Sequence, residues 1–350
     1  MLGGGAGCRS AGRDWAAAPA GNASRNVNQV MVWRQSIASA YAIAGRSRSS
    51  RRIGYLCRMA TPSIIGFGTL RSGQIMCVAT ERTHNSVHVF DGNAWRKLVR
   101  WAGHEATAAC ACGDTVVCAA LDDVVYLVDG TTISRVALPK QGDWIYAAAA
   151  LSEDTALLGG SGGLVLVSTK DQSVTRRRLS EFNVSRPGRH ILGIARTASR
   201  VLLLGKKNLV VDYKGNSAAE LIGRKALGSE ERFFQDAVEL DQDLWLSGMS
   251  GAHPFLARML DGGLQDEAIP VARQTSPSLA VLESELVIGA EGLWAGKPGQ
   301  WREVLALTPG SSIVGLTPAP ATAPHPLCAF TSDGISCFTD GRAHTQFPIF

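Results

Sequence analysis

The sequence lacks the short motifs that mark many catalytic and metal-binding folds. Its eight cysteines include no C-x-x-C pair, the spacing typical of zinc and redox sites. We interpret them as small buried apolar residues, which fits a reducing cytoplasm. No window approaches the apolar length needed to cross a bilayer. The Gly-dense stretch 159–163 is followed by neither Lys-Ser/Thr nor a helical pattern, so it is neither a phosphate-binding loop nor a nucleophile elbow between a strand and a helix.

Positive charge is concentrated at the start of the chain. Residues 1–58 hold nine Arg, no Lys and one acidic residue, so they contribute +8 to a whole-chain net charge of +5. The remaining 292 residues therefore sum to −3. Because a nucleic-acid-binding domain normally carries its own basic surface, we discount nucleic acid as the main partner.

Residues 1–58 also differ from the rest in composition. They are rich in Gly, Ala, Ser and Arg, end in the run GRSRSSRR at 45–52, and have too little apolar surface to fold alone. We expect a disordered basic tail. Two other interpretations stay open, namely a transit peptide and a mis-assigned start with Met59 as the true beginning.

A short apolar phrase ending in a small residue recurs along the remainder of the chain. The final residues of its seven copies are Ala79, Ala119, Gly159, Gly205, Gly248, Gly289 and Thr331. The successive steps are 40, 40, 46, 43, 41 and 42 residues. A period of about 40 to 50 residues filled with strands is typical of β-propeller blades. We therefore predict an all-β fold in which residues 59–350 form one seven-bladed β-propeller of four-stranded blades.

The third repeat illustrates the four strands of one predicted blade, at 144–150, 155–159, 164–168 and 173–179. Small residues fill the first strand, where blades crowd at the axis, and charge protects the last, whose edge is unpaired. Tight turns before the last strand are predicted from dipeptides ending in Gly, at 91–92, 129–130, 214–215, 261–262 and 340–341.

Three further features complete the predicted frame. Trp95 and Trp301 begin the last strand of their repeats, where we expect them to fill the gap between adjacent blades. Ser217–Arg232 has a helix-forming composition and suggests a helical insertion. The chain starts with an inner strand and ends with an outer one, so ring closure would depend on packing between sheets.

By these repeats the chain resembles bacterial seven-bladed propellers of the quinoprotein-like and tryptophan–aspartate-repeat-like group, over about residues 60–350. It departs from each specific pattern. Gly103-His104 is isolated, no Trp-Asp occurs, and only Gly159-Gly160 matches a kelch doublet. No recurring Trp docking motif and no Asp box is present. The resemblance implies a fold and supplies no catalytic residue.

In such a fold, the loops leading into the inner strands and those between second and third strands open on one face around the axial channel. The residues at the starts of four consecutive inner strands are polar, and we take them as candidate binding residues: His104, Glu105, Asp143, Trp144, Arg189, His190, Glu231 and Arg232. The other loops of this face add Glu81, Arg82, His84, Asp122, Asp123, Lys206, Lys207, His253, Glu291 and Asp333.

Two functions would use this face. The first is a non-enzymatic protein-binding platform anchored by Trp144, acting as a scaffold or as an immunity-type protein that neutralises a partner. The second is a metal-dependent hydrolase or lyase using Glu105, Asp143, His190 and Glu231 near the axis. Solvation of loops is a third, non-functional reason for charge there. We favour the first: a bacterial, cytoplasmic monomer that binds a protein and no nucleic acid, membrane, metal or cofactor.

Overall fold

A computed structural model describes residues 62–81, 83–139, 144–182, 190–221, 231–260, 263–271 and 275–350. The basic segment 1–58 lies outside these residues. In the described part almost all regular structure is β, with one turn of 3₁₀ helix at Leu179–Phe182. The fold class predicted from the sequence is confirmed as all-β.

The first eight strands form one continuous sheet, sheet I, in the order β4-β3-β2-β1-β5-β6-β7-β8. Its strands are β1 (Ser63–Thr69), β2 (Ile75–Glu81), β3 (His84–Phe90), β4 (Trp95–Ala102), β5 (Ala106–Cys112), β6 (Thr115–Ala120), β7 (Val124–Asp129) and β8 (Thr132–Ala137).

The remaining strands form five four-stranded antiparallel sheets, II to VI, each built from consecutive strands. Sheets II and III comprise β9 (Ile145–Ala150), β10 (Thr155–Gly160), β11 (Gly163–Ser168), β12 (Val174–Arg177), β13 (Ile191–Arg196), β14 (Val201–Gly205), β15 (Leu209–Tyr213) and β16 (Ala218–Glu220). Sheets IV and V comprise β17 (Arg232–Leu240), β18 (Asp243–Ser250), β19 (His253–Leu260), β20 (Gly263–Glu267), β21 (Ser278–Leu282), β22 (Glu285–Gly289), β23 (Gly292–Lys297) and β24 (Gln300–Ala306). Sheet VI comprises β25 (Ile313–Pro318), β26 (Leu327–Thr331), β27 (Ile335–Thr339) and β28 (His344–Pro348).

The sheets are arranged in a ring. Strands β1, β5, β9, β13, β17, β21 and β25 each contact the next in this order, and β25 contacts β1. These are the inner strands, and several hydrophobic clusters lie between neighbouring sheets rather than within one. The arrangement is a β-propeller.

The prediction of seven separate four-stranded blades is not confirmed, because β1 to β8 belong to one sheet. Strands β1 and β5 pair in parallel at Gly66 and Ala109. A Cβ at position 66 would overlap the Ala109 carbonyl, so glycine permits this close approach of two backbones. The described propeller therefore has five separate four-stranded blades and one eight-stranded sheet.

Glycine also lies at or near the end of the second strand of sheets II, III and IV for a local reason. At Gly160, Gly205 and Gly248 an added Cβ would overlap the main-chain carbonyl of the residue just before or at the start of the inner strand. The paired inner strand has a register shift at the same level in each of these sheets. Gly205 and Gly248, which close the repeated phrase, and Gly160, which follows it, thus make room for the bulged start of the inner strand.

The predicted turns and tryptophan contacts agree with the described structure. Gly92, Gly130, Gly215 and Gly341 all have positive φ in turns that precede a fourth strand, whereas the dipeptide at 261–262 lies outside the described residues. The Trp95 indole N–H donates to Ser336 Oγ of sheet VI at 2.7 Å. The Trp301 indole N–H donates to the Ala268 carbonyl, after β20, at 2.9 Å. Each tryptophan joins its sheet to the preceding one.

Ring closure rests on aromatic packing between the first and last sheets, as the sequence predicted. Phe67 stacks on Phe330 with ring centroids 4.8 Å apart, and Phe90 lies 4.6 Å from Phe338. Sheet VI contains only its own four strands. The expected helix at 217–232 is wrong where it can be compared, because Ala218–Glu220 is strand β16; residues 222–230 lie outside the described part.

The cysteines behave as the sequence indicated. All six within the described residues are buried free thiols: Cys77, Cys110, Cys112, Cys118, Cys328 and Cys337. Burial raises the pKa of each of them above the ordinary thiol value. They therefore remain protonated at neutral pH and pack as small apolar side chains.

Candidate functional site

The loops leading into the inner strands meet the loops between second and third strands at one end of the propeller, which we call the upper face. Contacts between the two sets recur from sheet to sheet: His104 with Asp122, Trp144 with Ser161, His190 with Lys206, Arg232 with Asn208, and Ser312 with Ser332. Most involve main-chain atoms, so the described loop residues fix one another at the ends of the strands. The described residues of the upper face therefore form a surface that gathers side chains from distant parts of the chain.

His104 is held on three sides. Its Nδ1 lies 2.8 Å from a carboxylate oxygen of Asp122. Its main-chain N–H donates to the Tyr126 hydroxyl at 3.2 Å, and its carbonyl accepts from the Asn85 amide at 2.9 Å. The neighbouring Glu105 carbonyl accepts the Leu121 N–H, and burial raises the pKa of the Glu105 carboxyl.

Trp144 and His190 lie on successive sheets of the upper face. The Trp144 N–H donates to Ser161 Oγ at 2.9 Å, and its indole is partly buried. The His190 ring stacks on Tyr146 of β9 with centroids 6.1 Å apart and an interplanar angle of 11°. Desolvation, and then the charges of Lys206 and Lys207, lower the pKa of His190. Its imidazole is therefore neutral at pH 7.

Arg232 is engaged within its own sheet. Its guanidinium forms two hydrogen bonds, of 2.6 and 2.8 Å, with the Asp266 carboxylate of β20. It also lies 5.0 Å from the Phe255 ring centroid, and only 13% of its side chain is exposed. Bidentate pairing of this kind fixes geometry, so Arg232 braces sheet IV, while the adjacent Glu231 is exposed.

The predicted candidates are therefore only partly brought together. Asp143 and Arg189 lie outside the described residues. Among the residues that are described, no three His, Cys, Asp or Glu side chains are placed to hold a metal ion. Glu105, His190 and Glu231 have separate surroundings, and the metal-dependent alternative stays an untested prediction.

Two aromatic residues of this face were missed by the sequence reasoning. Tyr146 and Phe233 are partly exposed on inner strands β9 and β17. Phe233 lies under Lys206, whose ammonium is 5.8 Å from the ring centroid. A large aromatic residue among the small residues typical of inner strands could have indicated them, as Tyr146 does in the segment IYAAAA at 145–150. Crowding at the axis explains the alanines of that segment but not the tyrosine.

Comparison with known proteins identifies the fold and nothing finer. No family model matches the chain, and no curated protein matches it. A catalytically inactive variant of virginiamycin B lyase from Staphylococcus aureus, crystallised with quinupristin, aligns with a TM-score of 0.61 at 11% identity, covering 79% of this chain and 94% of that one. The WD40 domain of Neurospora crassa Pan2 aligns with a TM-score of 0.55 at 8% identity, covering 81% and 88%.

A third similar structure is the extracellular domain of the putative one-component system BT4673 from B. thetaiotaomicron, with a TM-score of 0.59 at 15% identity. The alignment covers 82% of this chain and 38% of that one. A lyase, a WD40 domain and the extracellular domain of a one-component system thus share the propeller arrangement, so the fold does not select a function. No helix in the described part of the chain is long and apolar enough to span a membrane.

Proposed function

We propose that this protein is a non-enzymatic protein-binding propeller that uses its upper face, as a scaffold or as an immunity-type protein. The observation that carries the proposal is the set of contacts joining the loops of neighbouring strands around this face. A surface ordered before binding costs little conformational entropy when a partner docks. The WD40 domain among the similar structures fits this use of the fold.

The composition of the upper face supports the same proposal. Trp144 and Tyr146 on sheet II and Phe233 on sheet IV are partly buried aromatic residues, with only sheet III between them in the ring. Aromatic residues surrounded by polar and charged groups are typical of the energetically dominant part of protein interfaces. Of the predicted binding residues, Trp144 and His190 lie in this aromatic region, whereas His104 and Arg232 are held by internal pairs.

Several finer features belong to the same proposal. We infer that sheet I acts as two four-stranded blades, β1–β4 and β5–β8, joined at the one residue pair between their inner strands. The propeller would then have seven units within residues 59–350, after a disordered tail at 1–58. We further propose a bacterial, cytoplasmic monomer without a cofactor, whose partner is a protein rather than nucleic acid or membrane.

The test is a photo-crosslinking map in the native host. A benzophenone amino acid is placed at Trp144 or Tyr146 on the upper face, and at Thr131 or Lys170 in turns on the opposite, lower face. We expect the same discrete protein adduct from both upper positions and none from the lower ones. Adducts that form equally from both faces, or only from the lower face, would contradict the proposal.

A further inference from the structure

Four side chains form a continuous patch across sheets II, III and IV, which we call the aromatic–lysine patch: Tyr146, His190, Lys206 and Phe233. Tyr146 stacks on His190, and the Lys206 main-chain N–H donates to the His190 main-chain carbonyl at 3.0 Å. The Lys206 ammonium lies over the Phe233 ring. All four are partly exposed. The patch thus combines flat apolar surface with a cation at its centre.

Two lysines place positive charge beside His190 of this patch. Lys206 and Lys207 lie in the tight loop between β14 and β15, where Lys207 and Asn208 both have positive φ. After desolvation, these two lysines are the causes that lower the pKa of His190. Two cations held beside a neutral imidazole favour the approach of an anionic group.

Three described acidic groups on or near the upper face are engaged by partners of their own. Asp122 pairs with His104, Asp266 with Arg232, and Asp333 accepts from the Ser311 hydroxyl at 2.9 Å. Glu231, exposed at the start of β17, is the described acid nearest in sequence to the patch. An approaching carboxylate therefore meets the charges of Lys206 and Lys207 at the patch, whereas Asp122, Asp266 and Asp333 are already paired.

We infer that the aromatic–lysine patch recognises an acidic segment of the partner protein, in which carboxylates are attracted by the charges of Lys206 and Lys207 and an apolar side chain packs on Tyr146 and Phe233. The inference rests on the proposed protein-binding function and specifies the chemistry of the partner. A nucleic acid strand fits less well, because tracking a phosphate backbone needs an extended basic groove, and residues 59–350 carry a net charge of −3.

The test uses the full chain and fluorescein-labelled, terminally blocked peptides that alternate Phe with Glu, Gln or Lys, together with oligothymidylate, measured by fluorescence anisotropy. We expect the Glu peptide to bind about tenfold more tightly than the Gln and Lys peptides, and more tightly than oligothymidylate. Charge reversal in Lys206→Glu/Lys207→Glu should lower the affinity for the Glu peptide by about tenfold. The matched control is Lys170→Glu/Lys297→Glu, which makes the same charge change at exposed lower-face turns and should leave binding unchanged.

A second readout is the pKa of His190, followed by NMR through its imidazole protons. Bound carboxylates near the lysines should raise this pKa, and the rise should disappear in the Lys206→Glu/Lys207→Glu variant. Equal binding of all three peptides, equal loss in both double variants, or tighter binding of oligothymidylate would each overturn the inference.

Failure of the inference is distinguishable from failure of the proposed function. If the Trp144 crosslink to the partner persists at full yield in the Lys206→Glu/Lys207→Glu variant, the acidic-partner chemistry is wrong and the protein-binding function stands. If no upper-face position gives an adduct, the proposed function itself is wrong.

Discussion

Replacing Asp236 by Asn should change how the stability of the propeller depends on pH. Asp236 lies on inner strand β17, at the register shift between Phe234 and Asp236. One carboxylate oxygen accepts the Leu279 N–H of sheet V at 2.8 Å, and the other accepts the Ala237 N–H at 2.8 Å. Desolvation outweighs these two bonds and raises the pKa of the carboxyl from 3.8 to about 6.

The direction in which the free energy of unfolding changes with pH depends on whether the folded or the unfolded state binds the Asp236 proton more tightly. Between the two pKa values the unfolded chain has lost the Asp236 proton while the folded chain keeps it, so the free energy of unfolding falls as pH rises. A difference of about 2 in pKa corresponds to about 3 kcal/mol in total. Between about pH 4.5 and about pH 7, roughly 2 kcal/mol of this should be lost.

The assay is urea denaturation of wild type and Asp236→Asn at both pH values. The asparagine does not titrate, and contributions from all other groups cancel in the difference between the two proteins. The free energy of unfolding of wild type minus that of the variant should decrease by about 2 kcal/mol from the lower to the higher pH. A difference that is constant with pH would show that the carboxyl is not desolvated, and would refute the reasoning.

Two other substitutions probe the packing. Gly205→Ala places a Cβ against the His190 carbonyl and should destabilise the fold by about 1–3 kcal/mol in urea denaturation. Gly263→Ala, where the Cβ meets no atom within 4 Å, should stay within about 0.5 kcal/mol; equal effects would contradict the close approach. His88 is buried, and desolvation lowers its pKa to about 4. The free energy of unfolding of wild type minus that of His88→Gln should therefore fall by about 2 kcal/mol as the pH is lowered from about 7 to about 4.5. This pH dependence is opposite in sign to that of Asp236. No pH dependence of that difference, in the same denaturation assay, would contradict a buried neutral imidazole.

The propeller arrangement could be predicted because its causes are local and repeat along the chain. The small residue closing the repeated phrase is set at Gly205 and Gly248 by the carbonyl that packs against it. The Gly of each hairpin turn is set by positive φ, as at Gly130. Such constraints act within a few residues, so they leave a pattern in the sequence.

The division into sheets could not be predicted, because it depends on one contact between distant strands. Gly66 and Ala109 pair across 43 positions and merge eight strands into a single sheet. Glycine occurs at many positions for other reasons, so its presence at 66 carries no signal of this pairing.

The sequence predicted which loops form the candidate site, but not which side chains within it pair with one another. Placing His104 and Arg232 on one face followed from the strand order, but their pairing with Asp122 and Asp266 depends on side-chain geometry. Tyr146 was overlooked because an inner strand rich in alanine was explained by crowding alone.

The affinity of the crosslinked partner tests the central claim most directly. With that partner purified, its dissociation constant is measured by calorimetry for wild type, for Trp144→Ala/Tyr146→Ala and for the lower-face control Lys170→Glu/Lys297→Glu. Loss of two aromatic anchors should weaken binding by at least about tenfold, and the control should bind like wild type. An unchanged constant for the aromatic variant, together with weakened binding by the lower-face control, would contradict the assignment of the upper face.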